Sequence, residues 1–119
     1  MTIKTIFAQT NCSNMNKSIQ WYTSLFGRAP DARPMDGLAE WHHAQTAGLQ
    51  LFLDPAKAGN QTVTIIVSGL QSHHDRLLAD GMEPGSLERG DTVAFVRLSD
   101  PDGNLVVFAE PHPTEASTA

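Results

Sequence analysis

The strongest constraint on this chain is that one order of elements occurs twice within 119 residues. TIKTIFAQT, residues 2–10, reads as a strand, and NMNKSIQWYTSLFG follows it with Met15, Ile19, Tyr22 and Phe26 at helical spacing. Asn14 is suited to cap that helix, and Gly27 to end it in a left-handed conformation. APDARPMDG reads as loop or weak strand, while LAEWHHAQ and GLQLFLD read as two short strands around a turn at 46–48. After the Pro- and Gly-containing linker PAKAGNQ the same order returns. TVTIIVS is a β-branched strand, and GLQSHHDRLLADGM is a helix with Leu70, His74, Leu77 and Leu78 on one face and Gly81 as its stop. MEPGSLERG is loop or edge strand, and DTVAFVRLS and NLVVFAE are the last two strands. Ser13 and Ser68, and Met15 and Leu70, are each 55 positions apart. The halves share little identity, so the repeat lies in the pattern and not in the residues.

A strand–helix–three-strand module of about 50 residues covers one sheet face with its helix and leaves the other bare. The expectation is therefore an α+β fold of tandem βαβββ modules. Their bare faces would meet in a cupped mixed sheet, with the helices outside. One domain over residues 1–111 would hold modules at about 2–54 and 61–110, followed by a flexible tail at 112–119. A cup of this kind encloses a cavity, the usual place for a small ligand.

Composition narrows the function. Apolar residues make up 40% and charged residues 18%, the balance of an ordinary globule and not of a disordered chain. The net charge of −5 argues against a nucleic-acid partner, which needs clustered Lys and Arg, and is compatible with a cationic ligand. The single cysteine, Cys12, excludes an internal disulfide and any Cys-based zinc cluster, so a cytoplasmic setting is expected. MTIKTIFAQT lacks the apolar core of a signal peptide, and nowhere do 18 apolar residues run together. Neither export nor a membrane partner is expected.

Two stretches carry a family resemblance: the helix NMNKSIQWYTSLFG and the hairpin DPDGNLVVFAE. With the duplicated order they make the chain similar to the vicinal oxygen chelate superfamily over residues 2–111. That superfamily includes glyoxalases, extradiol dioxygenases, and fosfomycin- and bleomycin-resistance proteins. The resemblance also implies where metal ligands would stand. The last ligand, four residues after the hairpin Gly, falls on Val107; the first, eleven before the helix Ser, falls on Phe7. The second-half counterpart of Phe7 is Thr62, and the fourth ligand falls on Gln50, or on Phe52 if the hairpin is one register longer. A divalent site wants His, Asp or Glu, commonly three or more. No metal and no other cofactor is therefore expected, and the nearest relatives in character would be the metal-free bleomycin-resistance proteins.

Other chemistry finds little support. The acid-rich turn DPDGN lacks the alternating ligands of a calcium loop and reads as a structural turn. Glu110, three residues beyond Val107, points to the opposite face of its strand and reads as a strand-end carboxylate facing solvent or a partner chain. His42 and His43 face opposite sides of one strand, and His74 joins the apolar stripe of its helix. No nucleophile elbow, phosphate loop or dinucleotide fingerprint is present. Cys12 reads as a small filler at the end of the first strand.

The expected ligand-binding residues are Phe7, Gln9, Trp41, His43, Gln50, Thr62, Arg97 and Val107. Trp41 with His43 would stack on a ligand, and Arg97 would clamp a ligand carboxylate or pair with an acid of a partner subunit. Three functions compete. The first is a metal-free protein that sequesters a small organic ligand, as a homodimer by family analogy. The second is a metal-dependent lyase, isomerase or dioxygenase. The third is a non-metal enzyme using Arg97, His43 or Glu40.

Overall fold

A computed structural model describes residues 1–112. The first sheet has the order β1–β4–β3–β2, from β1 (Ile6–Cys12), β2 (Ala32–Met35), β3 (Leu38–Ala44) and β4 (Ala47–Leu53), with α1 (Met15–Phe26) between β1 and β2. The second sheet has the order β5–β8–β7–β6, from β5 (Thr62–Ile66), β6 (Glu88–Arg89), β7 (Val93–Ser99) and β8 (Leu105–Pro111), with α2 (Leu70–Ala79) between β5 and β6. The fold is α+β, and each half runs strand, helix, three strands. The expected tail beyond His112 lies outside the described residues.

The chain forms two compact units. The first is Met1–Val63 together with Asp100–Leu105, and the second is Thr64–Ser99 with the residues from Val106 onward. In the first unit β1 lies parallel to β4 and β3 antiparallel to it. α1 starts where Asn14 accepts the Lys17 N–H and stops at Gly27, whose φ is 72°. Its buried residues are Ser18, Tyr22 and Leu25, so the covered stripe is centred one position away from the Met15–Ile19–Phe26 line that spacing suggests. Beneath it lie Trp41, Leu49 and Leu51, each 2% exposed or less. Cys12 is fully buried, and that burial raises its thiol pKa.

The DPDGN turn belongs to this unit. Asp100, 5% exposed, accepts from the Tyr22 hydroxyl at 2.6 Å, from Asn104 Nδ2 at 2.8 Å and from the backbone N–H groups of Asp102 and Asn104 at 2.9 Å. Asn104 Nδ2 also donates to Asn11 O, and its Oδ1 accepts from Gly59 N and Gln61 N. Asp102 accepts from the backbone N–H and the hydroxyl of Ser13, just ahead of α1. Burial first, and then the bond to Asp100, hold the Tyr22 phenol protonated far above its ordinary range. The acids of the turn fasten it to α1 and the segment ahead of it, and Asn104 fastens it to β1, in keeping with the structural reading.

In the second unit α2 buries Leu70 and Leu77, while Leu78, expected on the same stripe, is 54% exposed. On the sheet side Ala94, Val96, Leu98, Val106 and Phe108 are buried, and His73 stacks on Phe108 at 6.0 Å. Gly69 starts α2 without a side-chain cap. Glu110 supplies the cap from 41 residues away, accepting from Gly69 N at 2.9 Å and Leu70 N at 3.1 Å. The expectation of a strand-end carboxylate facing solvent or a partner chain did not include this cap. Sequence placed Glu110 on the correct face but did not reveal that an uncapped helix start stands opposite.

Two outcomes follow from these contacts. Tyr22→Phe deprives a buried carboxylate of one donor, and urea unfolding is expected to show a loss of about 1–3 kcal/mol with an unchanged m-value. The backbone N–H groups of Leu70 and Gly69 lower the Glu110 pKa from its usual 4.5. A lowered carboxylate stabilises the fold fully above its unfolded pKa and loses that contribution as pH falls through the folded one. Glu110→Gln is accordingly expected to melt below wild type at pH 7, with the gap closing as the pH falls below the usual 4.5 and through the lowered folded value.

Candidate functional site

Strand register builds the site on the face of the first sheet opposite α1. Gln9 pairs with Gln50 and Gln50 with Glu40, forming one cross-strand row. Two residues along, Phe7 pairs with Gly48 and Gly48 with His42, forming the next. Residues opposite one another in a ladder project to the same side, as do residues two apart on one strand. Phe7, Gln9, Glu40, His42 and Gln50 therefore share one face.

Their side chains are connected. Glu40 Oε1 lies 3.0 Å from His42 Nε2, and Glu40 Oε2 accepts from Gln50 Nε2 at 2.8 Å. The Glu40 side chain is only 13% exposed, against 45% for His42. The bonds from His42 and then Gln50 lower the Glu40 pKa below its usual 4.5, so the carboxylate is ionised at neutral pH. The Phe7 ring meets the His42 ring edge-on, with centroids 5.7 Å apart. Beside them is a recess of about 200 Å³ lined by Thr5, Phe7, His42, Ala44, Gln45 and Ala47.

Glycine at position 48 makes this arrangement possible. A Cβ there would stand 2.7 Å from the Phe7 ring and 2.6 Å from Trp41 O, too close on both sides. The ring of Phe7 lies over the space that a side chain would occupy.

Trp41 and His43 are on the other face. Trp41 is fully buried, packs against Tyr22 and Phe26, and donates its indole N–H to Arg28 O at 3.0 Å. His43 meets Phe26 edge-on at 4.4 Å, and desolvation there, followed by the charge of Arg28, lowers its pKa. Trp41 and His43, expected to stack on a ligand, are both turned toward the helix by alternation along β3. Arg28 fastens the end of β3 by bonding Asp31 Oδ1 and His42 O, while Asp31 Oδ2 accepts from His42 N at 2.7 Å.

The remaining expected residues lie on the second sheet. Thr62 is exposed at the start of β5, and Val107 is half-buried on β8. The Arg97 guanidinium is already engaged, 2.5 Å from Glu88 Oε2 and 4.6 Å above the Phe95 ring. That intrachain pair takes the place expected for an acid of a partner subunit. Sequence reasoning missed His42 and ranked Glu40 only as an alternative. Their i, i+2 spacing on a strand was the available signal, since it puts acid and imidazole on one side.

The positions that the superfamily resemblance would assign to metal ligation do not fit a cation. Phe7 and Val107 have no donor atom, and Thr62 and Gln50 offer only weak neutral ones. Among the described residues no three His, Cys, Asp or Glu side chains come together.

A glyoxalase/bleomycin resistance protein from Catenulispora acidiphila superposes with a TM-score of 0.84 at 28% identity, over 92% of this chain and 98% of that one. This chain has the glyoxalase/bleomycin-resistance fold. TnmS3, an antibiotic-binding protein from Streptomyces, matches at TM-score 0.77 and 18% identity over 91% of this chain and 95% of its own. A bleomycin-binding protein in complex with bleomycin matches at 0.73 and 16% over 87% and 95%. The fold of the vicinal oxygen chelate superfamily is thus shared with proteins described as antibiotic binders. No family model and no curated protein sequence matches the chain.

Gly48→Ala offers a check on the site geometry. The added methyl must displace Phe7 or distort β3, and a stability loss of about 1–3 kcal/mol is expected by denaturant unfolding. The Phe7 ring resonances should shift in the same variant.

Proposed function

We propose that this protein binds a small organic ligand, without a metal, on the open face of the first sheet. Phe7 forms the apolar wall, Gln9 and Gln50 hydrogen-bond the ligand, and Glu40 with His42 supplies the polar centre. The observation that carries this reading is the side-chain set itself. A helix covers the opposite face, while this one presents an aromatic ring beside a hydrogen-bonded carboxylate and a recess of about 200 Å³. Ligand sites commonly combine apolar walls with a few fixed polar groups. The antibiotic-binding proteins of the same fold support the reading. On the second sheet Thr62, Arg97 and Val107 are proposed as ligand-binding residues in their own right, with Arg97 acting through the part of its guanidinium that Glu88 does not bond. A cytoplasmic homodimer completes the proposal. The homodimer rests on superfamily analogy and the location on cysteine usage, and no described helix is long and apolar enough to cross a membrane.

A thermal-shift screen of antibiotics, aromatic acids and amines tests it, because a ligand that binds only the folded state raises the melting temperature. A hit is expected to lose about tenfold in affinity on Phe7→Ala, the magnitude of one buried aromatic contact. Untagged protein is expected to carry no stoichiometric transition metal, and dialysis against a chelator should leave binding unchanged. Hits that ignore Phe7→Ala, or that vanish on chelation, would remove the proposed site.

A further inference from the structure

The hydrogen-bond pattern around Glu40 decides which valences its neighbours show to a ligand. An ionised carboxylate only accepts hydrogen bonds. The nitrogen of His42 that faces it at 3.0 Å must therefore carry the proton, and in the neutral form of the ring the other nitrogen, Nδ1, is left as an acceptor. Gln50 likewise commits an N–H of its amide to Glu40 at 2.8 Å, leaving its carbonyl oxygen as an acceptor toward the ligand. Glu40 receives one bond on each oxygen, while a carboxylate offers about four lone-pair sites. Three neighbouring side chains thus have unused lone pairs, and neither bond to Glu40 comes from a Lys or Arg. Phe7 adds the face of an aromatic ring next to this array.

An array of acceptors around an uncompensated negative charge selects a ligand that brings several N–H donors and a positive charge. A neutral carbonyl compound or an anion would oppose lone pair to lone pair. We propose that the Glu40–His42–Gln50 face recognises a planar donor-rich cation, an aryl amidinium or guanidinium, whose N–H groups bond Glu40 and whose ring packs against Phe7. This rests on the site proposed above and specifies its ligand class. A transition-metal ion also takes lone pairs, but it needs three or more strong donors, and among the described residues no such group converges.

Benzamidine, benzamide and benzoate, titrated into the full chain at pH 7 with ligand-observed NMR and calorimetry, provide the test. They share one ring and differ in carrying a cation, a neutral amide or an anion. Benzamidine is expected to bind at least about tenfold tighter than benzamide, as a charge-assisted hydrogen bond exceeds a neutral one. Benzoate is expected not to bind, and Glu40→Gln should abolish the preference without changing the far-UV circular dichroism. Equal affinity for benzamidine and benzamide, or an unaltered preference in Glu40→Gln, overturns the proposal. So does zinc displacing benzamidine at micromolar concentration. The order of the three probes on wild type decides the matter even if the variant does not fold. Probe binding that depends on Phe7 but ignores charge keeps the ligand face and removes the cationic class. If no probe binds in a Phe7-dependent way, the cationic class falls. Loss of Phe7-dependent binding across the wider screen as well then removes the face itself.

Discussion

The buried carboxylate of Asp100 is the interaction on which the first unit depends. It has four hydrogen bonds, from the Tyr22 hydroxyl, the Asn104 amide and two backbone N–H groups. Each donor is pinned elsewhere. Tyr22 lies among the aromatic residues under α1, and Asn104 reaches both β1 and the 59–61 segment. An anion removed from water is tolerable only when its acceptor capacity is nearly filled. Here that requirement joins a turn late in the chain to a helix and a strand formed by its first 26 residues.

The ligand face follows the opposite logic. Glu40 is ionised and mostly covered, yet its acceptor capacity is half filled. Gln50 turns its carbonyl oxygen outward through the bond it donates, and His42 in its neutral form turns Nδ1 outward in the same way. Asp100 is a completed anion that organises structure, whereas Glu40 is an incomplete one that can organise a ligand. In a superfamily fold associated with metal centres, this chain puts a phenyl ring and an isopropyl group at two of the positions that ligation would use. Its acid and imidazole lie on β3, which β4 separates from the strand of Phe7.

Much of this was legible in the sequence. The Met15–Phe26 helix with its Asn14 and Gly27 ends, the hairpin of β3 and β4, and the opposite faces of His42 and His43 all follow from local rules of spacing and capping. Local rules also stop short. Trp41 and His43 were correctly placed on one face, but periodicity does not say which face a helix covers. Glu110 was turned to the correct side, but its partners Gly69 and Leu70 lie some 40 residues away in the chain. The strand expected from residue 2 begins at Ile6, because its pairing is set by the position of β4.

What the sequence alone determined is periodicity and chemistry: two modules of one pattern, their helix boundaries, and side chains at Phe7, Gln50, Thr62 and Val107 unsuited to a divalent ion. These are properties of single residues and near neighbours, so no coordinates are needed to read them. The tertiary structure alone decided which face of each sheet is covered, that Asp100 and Glu110 act as a buried hub and a distant helix cap, and that Glu40, His42 and Gln50 are mutually bonded. Register between strands distant in sequence sets those relations, because a shift of one residue would turn every side chain to the opposite side.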